Sequence, residues 1–449
     1  MNSETLGRER MGRLVLRMAL PTIAAQVINL LYNIVDKVFI GHIPGIGADC
    51  LTGVGVTSPI IIIISAFSAF FGQGGAPIAA IELGKGNKAN AERILGNCLS
   101  MLLGTAVVLM IVVALFMRPI LFAIGASEIT YPYASEYLSY YLIGTIMVLL
   151  SLGLSPFVIA QGKSNIAMFA MLSGGCANIL LDWLFVRVLN MGVKGAAIAT
   201  VISQSISGLW VLTYLIFFAK DIAIKRENLK VDGKIVTRVA GLGVSPFVMM
   251  STESIIGFVM NSGLQTYGGE LYVGGLTIMQ SVMQFISIPL SGFTQGVTPI
   301  VSYNYGAGKR DRLISCMKYI FIISISYCAT LAAAMSLFPR FFASFFTPEL
   351  PLIDLVEKAL PVFIAGMFIF GVQRACQTSF VALGQAKVSL FIALLRKVIL
   401  LVPLAIILPR FLGAFGIYWA EPIADTTAAT ICGIIFACTI RKIINSKAA

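Results

Sequence analysis

Phe71-Gly-Gln-Gly-Gly-Ala-Pro-Ile78 returns 222 positions later as Phe293-Thr-Gln-Gly-Val-Thr-Pro-Ile300. Gly84-Lys-Gly86 comes back at the same offset as Gly306-Ala-Gly308, with basic residues after both copies. Gly192-Val-Lys-Gly195 is echoed by Gly413-Ala-Phe-Gly416, 221 positions on. An offset near half of 449 residues, held over such a distance, marks a duplicated unit. In a hydrophobic chain, that pattern predicts a transporter made of two related bundles.

The chain is hydrophobic enough. It is 58% apolar and 12% charged, where an ordinary soluble protein carries about 25% charge, and its mean hydropathy is +0.92. Apolar runs of spanning length recur between short polar loops, and the alternating strands of a barrel are not evident. The expected fold is an all-α integral membrane protein with twelve transmembrane helices in two pseudo-symmetric six-helix bundles. The spans fall at roughly 14–42, 51–82, 94–117, 131–159, 166–188, 195–219, 241–267, 273–303, 314–338, 354–382, 388–409 and 414–440. The charge-dense stretch from Lys220 to Lys234 reads as the link between halves, giving an N-terminal lobe (1–219), a connector (220–240) and a C-terminal lobe (241–449).

Charge then sets orientation. Placing the N-terminus inside puts about 22 Lys and Arg on the cytoplasmic side against about 6 outside. Arg8 to Arg17, the group at Lys309 to Lys318, and Lys447 are among the inner ones. Both termini are therefore expected in the cytoplasm of a multi-pass membrane protein. The +12 formal charge is a topology signal, with no basic-aromatic patch to suggest nucleic acid. Cys50, Cys98, Cys176, Cys316, Cys328, Cys376, Cys432 and Cys438 show no CxxC or metal spacing and read as small packing residues. His42 is the single histidine, which leaves no material for a His-based metal site or a Ser-His-Asp triad. No cofactor is expected.

Ionisable residues deep in a span are costly and mark function. Gln26, Asn29, Asn33 and Asp36 are spaced 3, 4 and 3 apart, so the first span carries one polar stripe ending in a carboxylate. Interhelical hydrogen bonding explains asparagines but does not call for an ionisable group. In the fifth span Asn178 and Asp182 are four apart, at the same expected depth as Asp36. Two carboxyls meeting in low dielectric need a shared proton or a cation between them. Thr200, early in the sixth span, would add a hydroxyl. Such a set of oxygens suits Na⁺ or a proton relay.

The second half differs. Glu421 and Asp425 are again four apart, while the tenth and eleventh spans bring Arg374, Arg396 and Lys397. These either pair as a structural cluster or form a polar wall of a substrate cavity, with an acid facing a cationic compound.

Several motifs together carry a resemblance. Leu20-Pro21 with Asp36-Lys-Val-Phe-Ile-Gly41, Gln73-Gly74 followed by Gly84-x-Gly86, Asn178-x-x-x-Asp182-x-x-Phe185, and Gly192-x-x-Gly195-Ala-Ala-Ile-Ala-Thr200 occur in this order. The chain so resembles, over nearly its whole length, the multidrug and toxic compound extrusion (MATE) family of cation-coupled exporters. The resemblance implies that Asp36, Asn178, Asp182 and Thr200 form a cation-coupling site and that the first helix bends at Pro21. It also implies a glutamate on the seventh helix, for which Glu253 is nearest. The implied function is H⁺- or Na⁺-coupled antiport of lipophilic, often cationic drug-like compounds by a protein set among membrane lipids, working as a monomer and not as an enzyme. The rival is a lipid-linked oligosaccharide flippase of related fold, which would want a cationic cavity where this N-lobe is acidic.

The two halves also show where they diverge. Setting Pro21 on Pro246 aligns Asp36 with Asn261; Asp182 falls opposite Pro403-Leu404, and Thr200 and Gln204 fall opposite Glu421 and Asp425.

Overall fold

A computed structural model describes residues 3–41, 43 and 47–445; His42 and Lys447 lie outside the described residues. The first half contributes α1 (Met11–Gly41), α2 (Gly47–Gly84), α3 (Lys88–Leu115), α4 (Tyr131–Ala160), α5 (Ser164–Asp182) and α6 (Gly192–Thr213). The second contributes α7 (Gly233–Gly268), α8 (Glu270–Gly306), α9 (Arg310–Leu337), α10 (Leu350–Phe363 and Met367–Ala382), α11 (Ala386–Leu394, continued to Ile407) and α12 (Ala414–Asn445). Eleven of these are long and apolar enough to cross a membrane, and α10 makes the twelfth when its two pieces, bent by 50°, count as one span. No strand occurs among the described residues. The fold class is the one expected, with the connector's last part, from Gly233 onward, already wound into α7.

The sequence reading treats the tenth span as continuous. Pro361 breaks it by removing one backbone donor just before the bend. Gly366, inside the bend, lets α12 press in: a Cβ there would sit 2.6 Å from the Asp425 Cβ and 2.9 Å from the Pro422 Cα. Three spans also carry π-helical turns: Trp183–Val188 after α5, Tyr214–Phe218 after α6 and Leu395–Leu401 within α11. Such turns widen the helix and often accompany functional sites.

Packing explains the repeat. Helix α1 lies between α5 of its own half and α8 of the other, while α2 packs on α4 and, across the seam, on α7 and α8. At the end rich in basic residues, α2 and α8 cross backbone to backbone. A Cβ on Gly84 would lie 2.1 Å from the Tyr303 carbonyl oxygen, and one on Gly306 would lie 2.0 Å from that of Ile81. Since 81 maps onto 303 and 84 onto 306 by the same offset, each glycine makes the other's contact with roles reversed, as a two-fold relation demands. The repeated glycines are therefore what lets the halves close there.

Two further features sit at the ends. At the basic end a short 3₁₀ turn, Ser3–Gly7, bridges the halves. Leu6 is fully buried, near Gly162 of the first half, and its carbonyl accepts from Asn304 Nδ2 (2.9 Å) and Arg312 (3.2 Å) of the second. At the opposite end, short helices Met117–Ile124 and Pro339–Ser344 carry the repeat into the loops. Arg118 stands over Phe122 and Tyr131 and pairs with Glu128, and Arg340, its counterpart 222 residues on, pairs with Asp354 (3.0 Å) and Glu357 (2.8 Å). The carboxylate of Glu357 holds the Arg340 guanidinium above its ordinary pKa.

Pro21 sits inside α1 and cannot donate to the carbonyl of Arg17. That carbonyl accepts instead from the Ser164 hydroxyl at 3.4 Å, at the start of α5.

Candidate functional site

The contact of α1 with α5 brings Asp36 and Asp182 together, the two carboxyls lying close enough to interact. Asp182 is wholly buried and Asn178, one turn earlier, nearly so. Asp182 is also the last residue of regular α-helix before the first π turn. Asp36 Oδ1, both carboxylate oxygens of Asp182 and both amide atoms of Asn178 are buried without a hydrogen-bond partner among the described residues. Buried polar atoms are seldom left so. Ionised carboxylates only accept hydrogen bonds, so the two acids cannot satisfy each other without a proton or a cation between them.

Around this pair stand Gln204, Tyr32 and Tyr137, to which the sequence reading gave no role in the site. Gln204 of α6 donates to the Tyr32 hydroxyl at 3.0 Å, one turn before Asp36. Tyr137 of α4 is buried beside Thr200 and within the field of both carboxyls. Tyr137 thus links Thr200 to the neighbourhood of the acids. Aromatic residues in an apolar span carry no signal of their own, so only the packing finds them.

The α1 stripe does not act as one unit. Asn33 donates to the Asn29 carbonyl at 2.6 Å, and Gln26 turns across the seam to donate to Gln295 Oε1 at 3.0 Å. Only its last member, Asp36, joins the acids. Gln295 belongs to a second stripe that the sequence reading missed: Thr277, Ser281, Gln284, Ser291 and Gln295 share one face of α8. Their helical spacing in an apolar span was the available sign.

The charged residues of the second half are mostly paired with one another. Arg396 Nη2 donates to Glu421 Oε1 at 3.0 Å, its Nε donates to Asp425 Oδ1, and its guanidinium lies 4.8 Å from the Phe370 ring centre. Asp425 is 1% exposed and Glu421 8%. Of the two readings offered for these acids, their contacts are those of a buried ion-pair cluster, with α11 and α12 packed directly on each other. Lys397 pairs with Glu253 of α7, and Arg374 donates to the Ser291 hydroxyl at 3.1 Å. Glu253 alone among these acids keeps an exposed side chain.

The halves thus hold two kinds of acid pair. In the second, a tethered guanidinium supplies the positive charge. In the first, neither acid has an ion pair among the described residues, and Lys37, the residue after Asp36, acts on it only through its field.

Comparison with known proteins agrees with the architecture. The sequence model of the MatE family matches residues 21–184 and 246–407, once in each half. "Multidrug export protein MepA" of Staphylococcus haemolyticus is 24% identical over 92% of this chain and 91% of its own length. Its namesake from Staphylococcus aureus is 23% identical over the same shares. Among solved structures, a MATE protein in a bent conformation superposes with a TM-score of 0.93 at 23% identity, covering all of both chains. An outward-facing MATE transporter of the MOP superfamily gives 0.91 at 22% identity over 99% of each. With the family model covering most of the chain, one bundle at a time, the protein belongs to the MatE family of membrane transporters and is not an enzyme.

Proposed function

We propose that this protein is a cation-coupled antiporter that exports lipophilic, often cationic drug-like compounds by alternating access. The carrying observation is the buried Asp36–Asp182 pair with Asn178, where Asp36 Oδ1, both Asp182 oxygens and the Asn178 amide find no hydrogen-bond partner among the described residues. A proton or Na⁺ at that position satisfies both carboxyls, and either ion uses the same oxygens. Coupling then requires only that ion and cargo favour different states or compete. Thr200 and Tyr137 complete the polar surround, and Pro21 gives α1 a place to bend, with Ser164 holding the carbonyl freed there. The names of the staphylococcal relatives, which describe multidrug export, support the same cargo class.

In this reading the basic end is cytoplasmic and the halves are closed there, by the Gly84–Gly306 crossing and the Leu6 strap. The central cleft then opens outward from a bacterial cell membrane, with the protein working as a monomer.

The test is efflux from proteoliposomes under separately imposed pH and Na⁺ gradients. One of the two gradients drives efflux of a cationic dye, and Asp36→Asn abolishes the gradient dependence. Full gradient-driven efflux by Asp36→Asn would sink the coupling assignment. Movement of a lipid-linked oligosaccharide, with no dye efflux, would favour the flippase.

A further inference from the structure

The Glu253–Lys397 pair is lopsided. The lysine side chain is 6% exposed and the glutamate 61%. Glu253 lies mid-span in α7, where an ionised carboxylate facing lipid would be prohibitively costly. Its position excludes lipid on other grounds as well. It faces Lys397 and lies within the fields of Arg374 and Arg396, all in the second bundle's charged interior. An exposed carboxylate at that depth, turned to the inside, must be reached by water and not by lipid.

Lys397 approaches from behind. It sits in the π turn Leu395–Leu401 beside Arg396, which already holds Glu421 and Asp425. Two neighbouring residues on a regular helix point about 100° apart; here both are buried and each has its own acid. Glu421 is also within the electrostatic reach of Lys397. The ammonium therefore has a second carboxylate to share when its first is taken.

We infer that Lys397 is a tethered competitor for the cationic group of the cargo at Glu253, and so sets which charge class the transporter accepts. This inference rests on the proposed export of cationic compounds. A cargo cation binds Glu253 only by displacing the ammonium, which falls back toward Glu421 against the repulsion of Arg396. A tethered group competes at a local concentration in the millimolar range, so weak cations are excluded and uncharged cargo is unaffected. Lys397 is thus a specificity residue that acts through Glu253.

The experiment compares binding of tetraphenylphosphonium, a permanent lipophilic cation, and of the uncharged dye Nile red to purified full-length protein. Lys397→Met should tighten tetraphenylphosphonium by about tenfold and leave Nile red unchanged. Lys397→Arg should resemble the parent. Glu253→Gln should weaken tetraphenylphosphonium, and the Lys397→Met gain should vanish in the Glu253→Gln background. Equal changes for both probes, or no change with a lowered melting temperature, would make the pair a structural bridge and overturn the inference. Should Lys397→Met fail to fold, the same ratio of the two probes is read from Lys397→Gln and Glu253→Gln. Binding of neither probe by the parent protein would overturn the export reading itself, and this proposal with it. Tight cation binding with no Lys397 effect would overturn the proposal alone.

Discussion

The Gly306→Ala substitution tests whether the α2–α8 crossing is a gate or merely a packing contact. A Cβ at 306 would stand 2.0 Å from the Ile81 carbonyl oxygen, where ordinary contact begins at 3.4 Å. Its next neighbours, at 2.8 and 3.0 Å, are also backbone atoms of Ile81, so no side chain can swing away to make room. The helices must part, by about 1 Å or more at this point, and overpacking of that kind costs about 1–3 kcal/mol. If the crossing forms only when the basic end is closed, the whole cost falls on that state. The equilibrium then moves roughly 5- to 150-fold toward the form open at the basic end.

The partner substitution Gly84→Ala, with its Cβ 2.1 Å from the Tyr303 carbonyl oxygen, should act in the same direction. The double variant should add less than the sum, because parting the helices for one methyl relieves the other. Spin labels on Lys88 and Lys387, one on each half and both exposed, read the separation of the basic end in a cysteine-free background. The expected outcome is a longer-distance population that grows in Gly306→Ala while dye efflux falls. An unchanged distance distribution with normal efflux would refute the assignment of this crossing as a gate. Fully additive effects of the two glycines would show that they do not share one closure.

Other expectations follow from single contacts. Arg396→Met leaves Glu421 and Asp425 buried without their cation and should lower stability by about 3–5 kcal/mol, seen as a lower melting temperature in detergent. Replacing Arg396, Glu421 and Asp425 together by Met, Leu and Leu should recover much of that loss. Leu6→Ala empties a fully buried site of the basic-end strap and should cost about 2–5 kcal/mol within the closed state. It should lengthen the Lys88–Lys387 distance as Gly306→Ala does. Pro21→Ala restores a donor to the Arg17 carbonyl and should stiffen α1, slowing dye efflux with little change in melting temperature. Ser164→Ala should cost about 1 kcal/mol in the native protein and less in Pro21→Ala, where the carbonyl has its own donor.

The architecture was legible because it depends on quantities that accumulate along the chain. Apolar run length gives the spans, and the 222-residue offset gives the halves. What lay beyond the sequence was each side chain's choice of partner. Gln26 shares a helix face with Asp36 yet turns to Gln295, because α1 meets α8 at that depth and α5 further along. Arg396 and Lys397 are adjacent in sequence, so a regular helix would turn one of them away; the π turn brings both inward. No residue pattern announces such a turn. The bend in α10 had a sign in Pro361 and Gly366, but prolines are common in spans that stay continuous, such as α2 with Pro59 and Pro77.

The duplication also explains why the proposed ion site belongs to one half only. A duplicated bundle inherits the same interior, so an acid pair in either half faces the same problem of unbalanced charge. The second half meets it with a cation on a side chain: Arg396 between Glu421 and Asp425. A tethered cation cannot leave, so that pair holds no exchangeable ion of its own. In the first half, Asp182 falls opposite Pro403-Leu404, next to the π turn that carries Arg396, and no such tether is present in its contacts. Lys37, the residue after Asp36, offsets part of that charge through its field, and the rest is balanced by something that comes and goes. On this reading, exchange of an ion is a consequence of which half kept its acids untethered, and Glu253 stands between the two cases. Its cation is tethered, but its carboxylate is open to water, so the tether competes with cargo instead of excluding it.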